Sequence, residues 1–411
     1  MYGAQLMEAL RQNAGGDARS VQLGGLPQTV ADTSVHATQE LEFFGVGGEK
    51  MRAAQCEIIV DSKDLAVVGI TEILGHLPKI WRRFHKLIAE VDRRKPDLAI
   101  VIDSPAFNWR VARQMKKRGV PVIYYVCPQF WAWRQGRVRL LRKYVDKALV
   151  IFPFEEKFYC DRGVNAEFVG HPLAVLPRPE ISRQEYADKF GINSEKQWIT
   201  LMPGSRVKEV RMNLPGMLQA AQRIGSVCEF LLPVAPMLDQ GFVRALLVGP
   251  TAESGTVPIS DKSAASSLKG SSEHFPVHLV PEALPALAHS RAGIIASGTA
   301  TVEAAMMNLP FVMVYRVTPV TYWIGRSTVK CPYFAMVNLI AGEKVVPELV
   351  QEDFTPGKVA EEISKLIPDG QARQAMLNGL EKVRRLLGKD GAQALMPAAR
   401  AAKAVFRLSR G

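Results

Sequence analysis

The sequence predicts an α/β protein made of two successive units, each a parallel sheet covered by helices on both faces, followed by a helical tail. Three observations carry this. Short apolar strands without polar alternation recur between helix-length segments, the pattern of strands buried on both faces. The alternation runs twice over stretches of similar length, separated by the turn-rich segment GHPLAVLPRPEIS at 170–182. A chain of 411 residues also exceeds what one core ordinarily holds. The expected division is 1–175, 176–355 and a basic helical tail at 356–411.

The elements follow in order. MYGAQLMEAL reads as an amphipathic helix, with Leu6 and Leu10 four residues apart and Met7 beside them. Residues 13–39, rich in Gly, Ser, Thr, Gln and Asp, are expected to form a surface loop or insert. The first unit then runs LEFFGVGG, EIIVD, a helix over 77–94, DLAIVID at 97–103, a helix at 108–118, VPVIYYV at 120–126, a basic helix at 134–143 and KALVIF at 147–152. The second runs WITLMPGSR at 198–206, a helix to about 224, EFLLPVA at 229–235, a helix near 237–247, an insert at 250–274, VHLVP, a helix at 282–290, AGIIASGTA at 292–300, a helix at 301–307 and PFVMVYR at 310–316.

Composition narrows the class. With 47% hydrophobic and 22% charged residues the chain is globular rather than disordered. The net charge of +12 favours an anionic partner: nucleic acid, nucleotide, phosphate or an anionic membrane surface. Cys56, Cys127, Cys160, Cys228 and Cys331 lie far apart without a CxxC, which argues against a disulfide framework or zinc site and for a reducing compartment. No run approaches the roughly 18 apolar residues of a spanning helix.

In open α/β sheets ligands bind beyond the carboxyl ends of the strands, so the loops there are the candidate sites. Gly204, Ser205 and Arg206 follow one strand and precede a helix, where free N–H groups and a guanidinium fork suit phosphate; a plain strand-to-helix turn is the alternative. Ser297, Gly298 and Thr299 form a second such turn, and Glu303 follows, either accepting two ribose hydroxyls or completing a capping box with Thr299 or Thr301. Asp103 ends a strand in the first unit as a general base for a hydroxyl nucleophile, or as a helix N-cap. Asn338 can hydrogen-bond an amide or a base, and His171 reads as a structural histidine or hinge contact rather than a catalyst. The segment 66–95 carries more apolar side chains than one core-facing stripe needs, including Val67, Val68, Ile70 and Leu74, with cations at its far end, so part of it is expected on lipid.

Taken together, YYVCPQFWAWRQGRV, VDKALVIFPFEEKFY, FVGHPLA, MPGSR with EV behind it, ASGTATVEA, VYRVTPVTYWIGR and NLIAGEKVVPELVQ resemble, in order, the lipid A disaccharide synthase family of bacterial glycosyltransferases. The resemblance covers most of 41–355 and the helix at 2–12. It implies two Rossmann-like domains facing a cleft, of the glycosyltransferase B type. The implied reaction joins UDP-2,3-diacylglucosamine to 2,3-diacylglucosamine 1-phosphate, with inversion. By the same resemblance Asp103 is the base for the acceptor 6-hydroxyl, and Arg206, the Ser297–Thr299 turn, Glu303 and Asn338 hold UDP without metal or cofactor. Trp131, Trp133, Arg134, Gln135 and Arg137 would line the acceptor. It further implies a cytoplasmic protein bound peripherally to the anionic inner membrane, no nucleic-acid partner, and a homodimer as one form. Family members open with a strand and a glycine-rich loop before the helix that begins here at Met1, so a start downstream of the usual one is expected. Ala106 stands where many members carry an acid.

Overall fold

The computed structural model describes residues 2–16, 41–64, 70–248, 277–318, 321–323, 331–388 and 396–409. They divide into two compact units: the described residues of Met1–Pro172 with those of Gly391–Gly411, and those of Leu173–Asp390. The division falls inside the turn-rich 170–182 segment, and the tail expected at 356–411 is shared between the units.

The first unit begins with α1 (Tyr2–Gly16), so the loop expected from residue 13 starts later, and the rest of that insert lies outside the described residues. Then come β1 (Phe44–Gly47), α2 (Glu49–Ala53), β2 (Glu57–Asp61), α3 (Ile70–Arg94), β3 (Ala99–Ile102), α4 (Pro105–Lys117), β4 (Val122–Tyr125), α5 (Val138–Tyr144), β5 (Lys147–Val150), α6 (Pro153–Cys160) and β6 (Ala166–Phe168). β1 and β2 pair in parallel, and β3, β4, β5 and β6 form a second parallel sheet in that order. All four residues of β4 are buried, as expected of a strand covered on both faces. Val101, Tyr124, Leu141, Val150 and Tyr159 join one core with Phe84, Leu87 and Val91 of α3.

The second unit contains α7 (Arg183–Phe190), β7 (Gln197–Met202), α8 (Val207–Ile224), β8 (Cys228–Pro233), α9 (Gln240–Val248), β9 (Val277–Val280), α10 (Ala283–His289), β10 (Ala292–Ala296), α11 (Ala300–Met306), β11 (Phe311–Tyr315), α12 (Met336–Ala341), β12 (Glu348–Val350), α13 (Pro356–Ser364) and α14 (Gln371–Leu386). The insert expected at 250–274 lies outside the described residues. Local signals set the ends: Ser182 and Glu185 cap α7 reciprocally and Gly191 closes it at φ 64, while Thr355 caps α13 ahead of Pro356. α13 packs on α8 and the sheet, and α14 on α11 and α12. A last helix, α15 (Pro397–Ser409), packs on α1 in the first unit.

The six parallel strands of this unit run in the order β12, β11, β10, β7, β8, β9. The chain moves outward from β7 through β8 to β9, then returns to the other side of β7 with β10. The order therefore reverses between β7 and β10, which is where this fold class opens a crevice for ligands. Met202 lies opposite Ile295, so the turns that leave the two strands are neighbours.

Candidate active site

At the reversal point the turn after β7 is built for an anion. Gly204 has φ +124, and a Cβ there would lie 2.5 Å from Cβ of Glu209, so conformation and space both require glycine. The backbone N–H groups of Ser205 and Arg206 donate to Oε2 of Glu209 at 3.0 and 3.3 Å, and Nη1 of Arg206 donates to Oε1 at 2.9 Å. One of the chain's own carboxylates thus occupies the donors that sequence reasoning offered to phosphate. Glu209 escaped that reasoning, although its place three residues after Arg206, at the start of a helix, was the available signal. Asn213, fully buried in α8, ties this turn to the segment that leaves β11: its Nδ2 donates to the carbonyl of Pro203 at 3.0 Å and its Oδ1 accepts from N–H of Arg316 at 2.9 Å.

The turn after β10 brings Ser297, Gly298 and Thr299 beside it. Gly298 has φ +144 with open space where a Cβ would be. Ser297 Oγ donates to the carbonyl of Phe334 at 2.8 Å, and Thr299 is exposed. The capping-box alternative is not formed: Thr299 makes no side-chain cap, and Thr301 Oγ1 donates to the carbonyl of Gly298 at 2.7 Å. Glu303 is half-buried, its carboxylate has no hydrogen bond or ion pair among the described residues, and burial raises its pKa. Asn338, expected to hold UDP, instead has its amide engaged within the protein. Its Oδ1 accepts from Val345 and Val346 and its Nδ2 donates to the carbonyl of Val346 and to Glu348, so its capacity is used in shaping the 343–348 turn.

In the first unit Asp103 follows the last residue of β3 with φ 49, and Ser104, the N-cap of α4, has φ 42. Asp103 does not cap: its carboxylate is exposed and has no hydrogen bond or ion pair among the described residues. Left-handed backbone at consecutive non-glycine residues is strain of the kind found at functional sites.

The Trp and Arg segment divides in two. Trp131 is buried at 8% exposure, with its Nε1 donating to Oε1 of Glu155 at 2.9 Å and its ring edge-on to Phe154 at 4.9 Å. It anchors the loop from inside, which corrects its assignment to the acceptor. Trp133 is exposed with the Arg134 guanidinium 4.4 Å from its ring centre. Arg134 and Arg137 are exposed, and Gln135 is half-buried with Nε2 on the carbonyl of Trp131 at 3.1 Å. Glu155 also accepts from N–H of Ile151 and Phe152; burial pushes its pKa up to about 7 against these donors. His171 is buried, and burial lowers its pKa to about 4.

Of the lipid-facing candidates, Val67 and Val68 lie outside the described residues; Ile70 and Leu74 fall on α3 with side chains outside them. Farther along α3, Trp81 is 58% exposed beside exposed Lys79, Arg82 and Lys86. Among the described residues no helix is long and apolar enough to cross a membrane, and no group of three or more His, Cys, Asp or Glu is placed to hold a metal ion.

Comparison with known proteins shows the family and the fold. Residues 20–401 match the family described as lipid-A-disaccharide synthetase. The chain is 47% identical over 410 residues to the lipid-A-disaccharide synthase of Koribacter versatilis (strain Ellin345), covering 100% of this chain and 96% of that one. It is 39% identical over 373 residues to that of Myxococcus xanthus (strain DK1622), covering 90% of each. Among solved structures it is similar to the glycosyltransferase of kitacinnamycin, with TM-score 0.57, 13% identity and coverage of 99% and 96%. It is also similar to the UDP-GlcNAc 2-epimerase of Neisseria meningitidis bound to UDP-GlcNAc, with TM-score 0.51, 12% identity and coverage of 90% and 99%. At such identities the structures speak for the two-domain glycosyltransferase B fold alone. The chain belongs to the lipid-A-disaccharide synthase family, hexosyltransferases of lipid A biosynthesis.

Proposed function

We propose that the protein transfers 2,3-diacylglucosamine from its UDP conjugate to the 6-hydroxyl of 2,3-diacylglucosamine 1-phosphate. The products are a β-1,6-linked disaccharide 1-phosphate and UDP. The observation that carries this reading is the pair of turns at the β7–β10 reversal, where Ser205 and Arg206 already hold a carboxylate and the half-buried Glu303 carboxylate has no hydrogen bond or ion pair among the described residues. That arrangement suits a diphosphate on the first turn and a ribose diol at Glu303.

Asp103 takes the proton of the acceptor hydroxyl as its oxygen attacks the anomeric carbon. The bond from that carbon to the diphosphate breaks, its electron pair leaves with UDP, and attack opposite the leaving group inverts the centre. The N–H groups of Ser205 and Arg206 and the Arg206 guanidinium receive the charge that grows on the departing diphosphate, and Glu209 must swing aside to free them. Gly298 and Thr299 border the nucleotide. Asn338 acts through the turn it shapes. Trp133, Arg134 and Arg137 offer exposed aromatic and cationic surface to an acylated sugar phosphate.

The acyl chains of both substrates place the reaction at a membrane surface. Trp81 with its neighbouring cations, and a net charge of +12, support peripheral binding to the anionic cytoplasmic face of the inner membrane. The test is turnover of both substrates in detergent micelles with product read by mass spectrometry, comparing wild type with Asp103→Asn. The reading expects turnover to collapse while UDP affinity stays; wild-type turnover in Asp103→Asn would remove that residue as the base.

A further inference from the structure

The geometry points to a positioning role for Asn108 and Tyr124: together we infer that they hold the Asp103 backbone in the left-handed conformation that presents its carboxylate beyond the end of β3. This rests on the reading of Asp103 as the base.

Two consecutive non-glycine residues at φ 49 and φ 42 do not persist unless their surroundings fix them. The fixing groups come from two elements. Asn108, buried at 8% exposure in α4, donates Nδ2 to the carbonyls of Ile102 at 2.9 Å and Asp103 at 2.5 Å. Tyr124, fully buried in neighbouring β4, donates its hydroxyl to the same Asp103 carbonyl at 2.7 Å. Burial raises the phenol's pKa, so it stays a donor across the working pH range. N–H of Asp103 is meanwhile held by the carbonyl of Tyr125 at 3.1 Å. Pro105 adds a restraint, because the residue before a proline is disfavoured in the right-handed helical region. With its N–H and carbonyl both committed to the protein, Asp103 has its side chain left exposed, without a hydrogen bond or ion pair among the described residues. Removing the donors frees the peptide to rotate, and the carboxylate moves with it. A displacement near 1 Å at a reacting group can cost about 100-fold in rate.

Satisfying two partly buried carbonyls is a structural service as well, so the test must separate the two roles. Turnover, KM for each substrate and UDP affinity are measured for Tyr124→Phe, Asn108→Ala, Asp103→Asn and the two double variants that include Asp103→Asn. Tyr124→Phe removes one hydroxyl and keeps the ring, so the test stands even where Asn108→Ala does not fold. The expected result is a fall in kcat of about tenfold or more in each clamp variant with UDP affinity within about twofold of wild type. In the Asp103→Asn background the residual turnover falls no further.

Wild-type kcat in both clamp variants, beside an inactive Asp103→Asn, overturns the positioning role and leaves the base in place. Losses that multiply in the double variants overturn it too, since the clamp would then act on something other than Asp103. Wild-type turnover in Asp103→Asn alone, with the clamp intact, removes the base and with it the role inferred for Asn108 and Tyr124.

Discussion

Replacing Arg206 by alanine should weaken UDP, and the structure sets the size of the effect. A guanidinium forked onto phosphate makes charge-assisted hydrogen bonds, each contributing about 1.5–3 kcal/mol. In the free protein that guanidinium is already paired with Glu209, but the Arg206 side chain is 81% exposed, so the pair given up on binding contributes only about 0–1 kcal/mol. Counting one such bond, less about 0.5 kcal/mol for that pair, the net loss in Arg206→Ala is about 1–2.5 kcal/mol, or roughly 5- to 70-fold in Kd. Isothermal titration with UDP at fixed ionic strength measures it, and repeating the titration at higher salt should narrow the gap because screening weakens the lost interaction. The companion variant Glu209→Gln moves the other way. It keeps a side-chain oxygen to cap Ser205 and Arg206 but removes the charge that competes with diphosphate, so UDP should bind more tightly. A Kd for Arg206→Ala within about twofold of wild type would refute the phosphate assignment of this turn, and weaker binding in Glu209→Gln would refute the competition.

Other consequences follow from the remaining carboxylates and the exposed face of α3. Glu303→Gln should weaken UDP and, by removing a half-buried charge with no partner among the described residues, raise the melting temperature at neutral pH; thermal scans with and without UDP check both signs. Because burial raises the Glu155 pKa to about 7, the folded state holds this proton more tightly than the unfolded state, and the group's contribution to stability falls as pH rises from the ordinary carboxylate range to about 7. Urea melts of Glu155→Gln across that window should therefore show a difference from wild type that grows with pH, and a constant difference would refute the assignment. Lowered His171 works in the opposite sense between about 4 and the ordinary histidine value, which is why the comparison must be between the two proteins. Trp81→Ala should reduce sedimentation with vesicles rich in anionic lipid, whereas unchanged sedimentation would move the membrane contact off this part of α3.

What the sequence disclosed, and what it withheld, divides along a physical line. Strand and helix alternation was legible because unalternated apolar runs are a local property of β4, β7 and β10. The anion turn was legible for the same reason: Gly204–Arg206 follows a strand and opens a helix in contiguous residues. Its occupant was harder to read: Glu209 stands three residues after Arg206 at a helix start, but its carboxylate returns onto the turn only through the bend that Gly204 permits. Trp131 and Trp133 look alike in a linear reading, and they part only because the buried Glu155, 24 residues further on, takes the indole N–H of the first. Asn108 and Asn213 are unremarkable polar residues in helical sequence, and Asn338 stood out only as a ligand contact; the carbonyls and N–H groups all three hold are assembled by tertiary packing. Short elements such as α2, α7 and β12 carry too few residues for a period to stand out.

The most direct test of the account is the product formed from UDP-2,3-diacylglucosamine and 2,3-diacylglucosamine 1-phosphate in detergent micelles, identified by mass spectrometry and by the anomeric configuration of the new bond. The account expects a β-1,6 disaccharide 1-phosphate with one UDP released per bond formed, abolished by Asp103→Asn and reduced by Arg206→Ala. Epimerised UDP-sugar, or UDP released without a disaccharide, would contradict it.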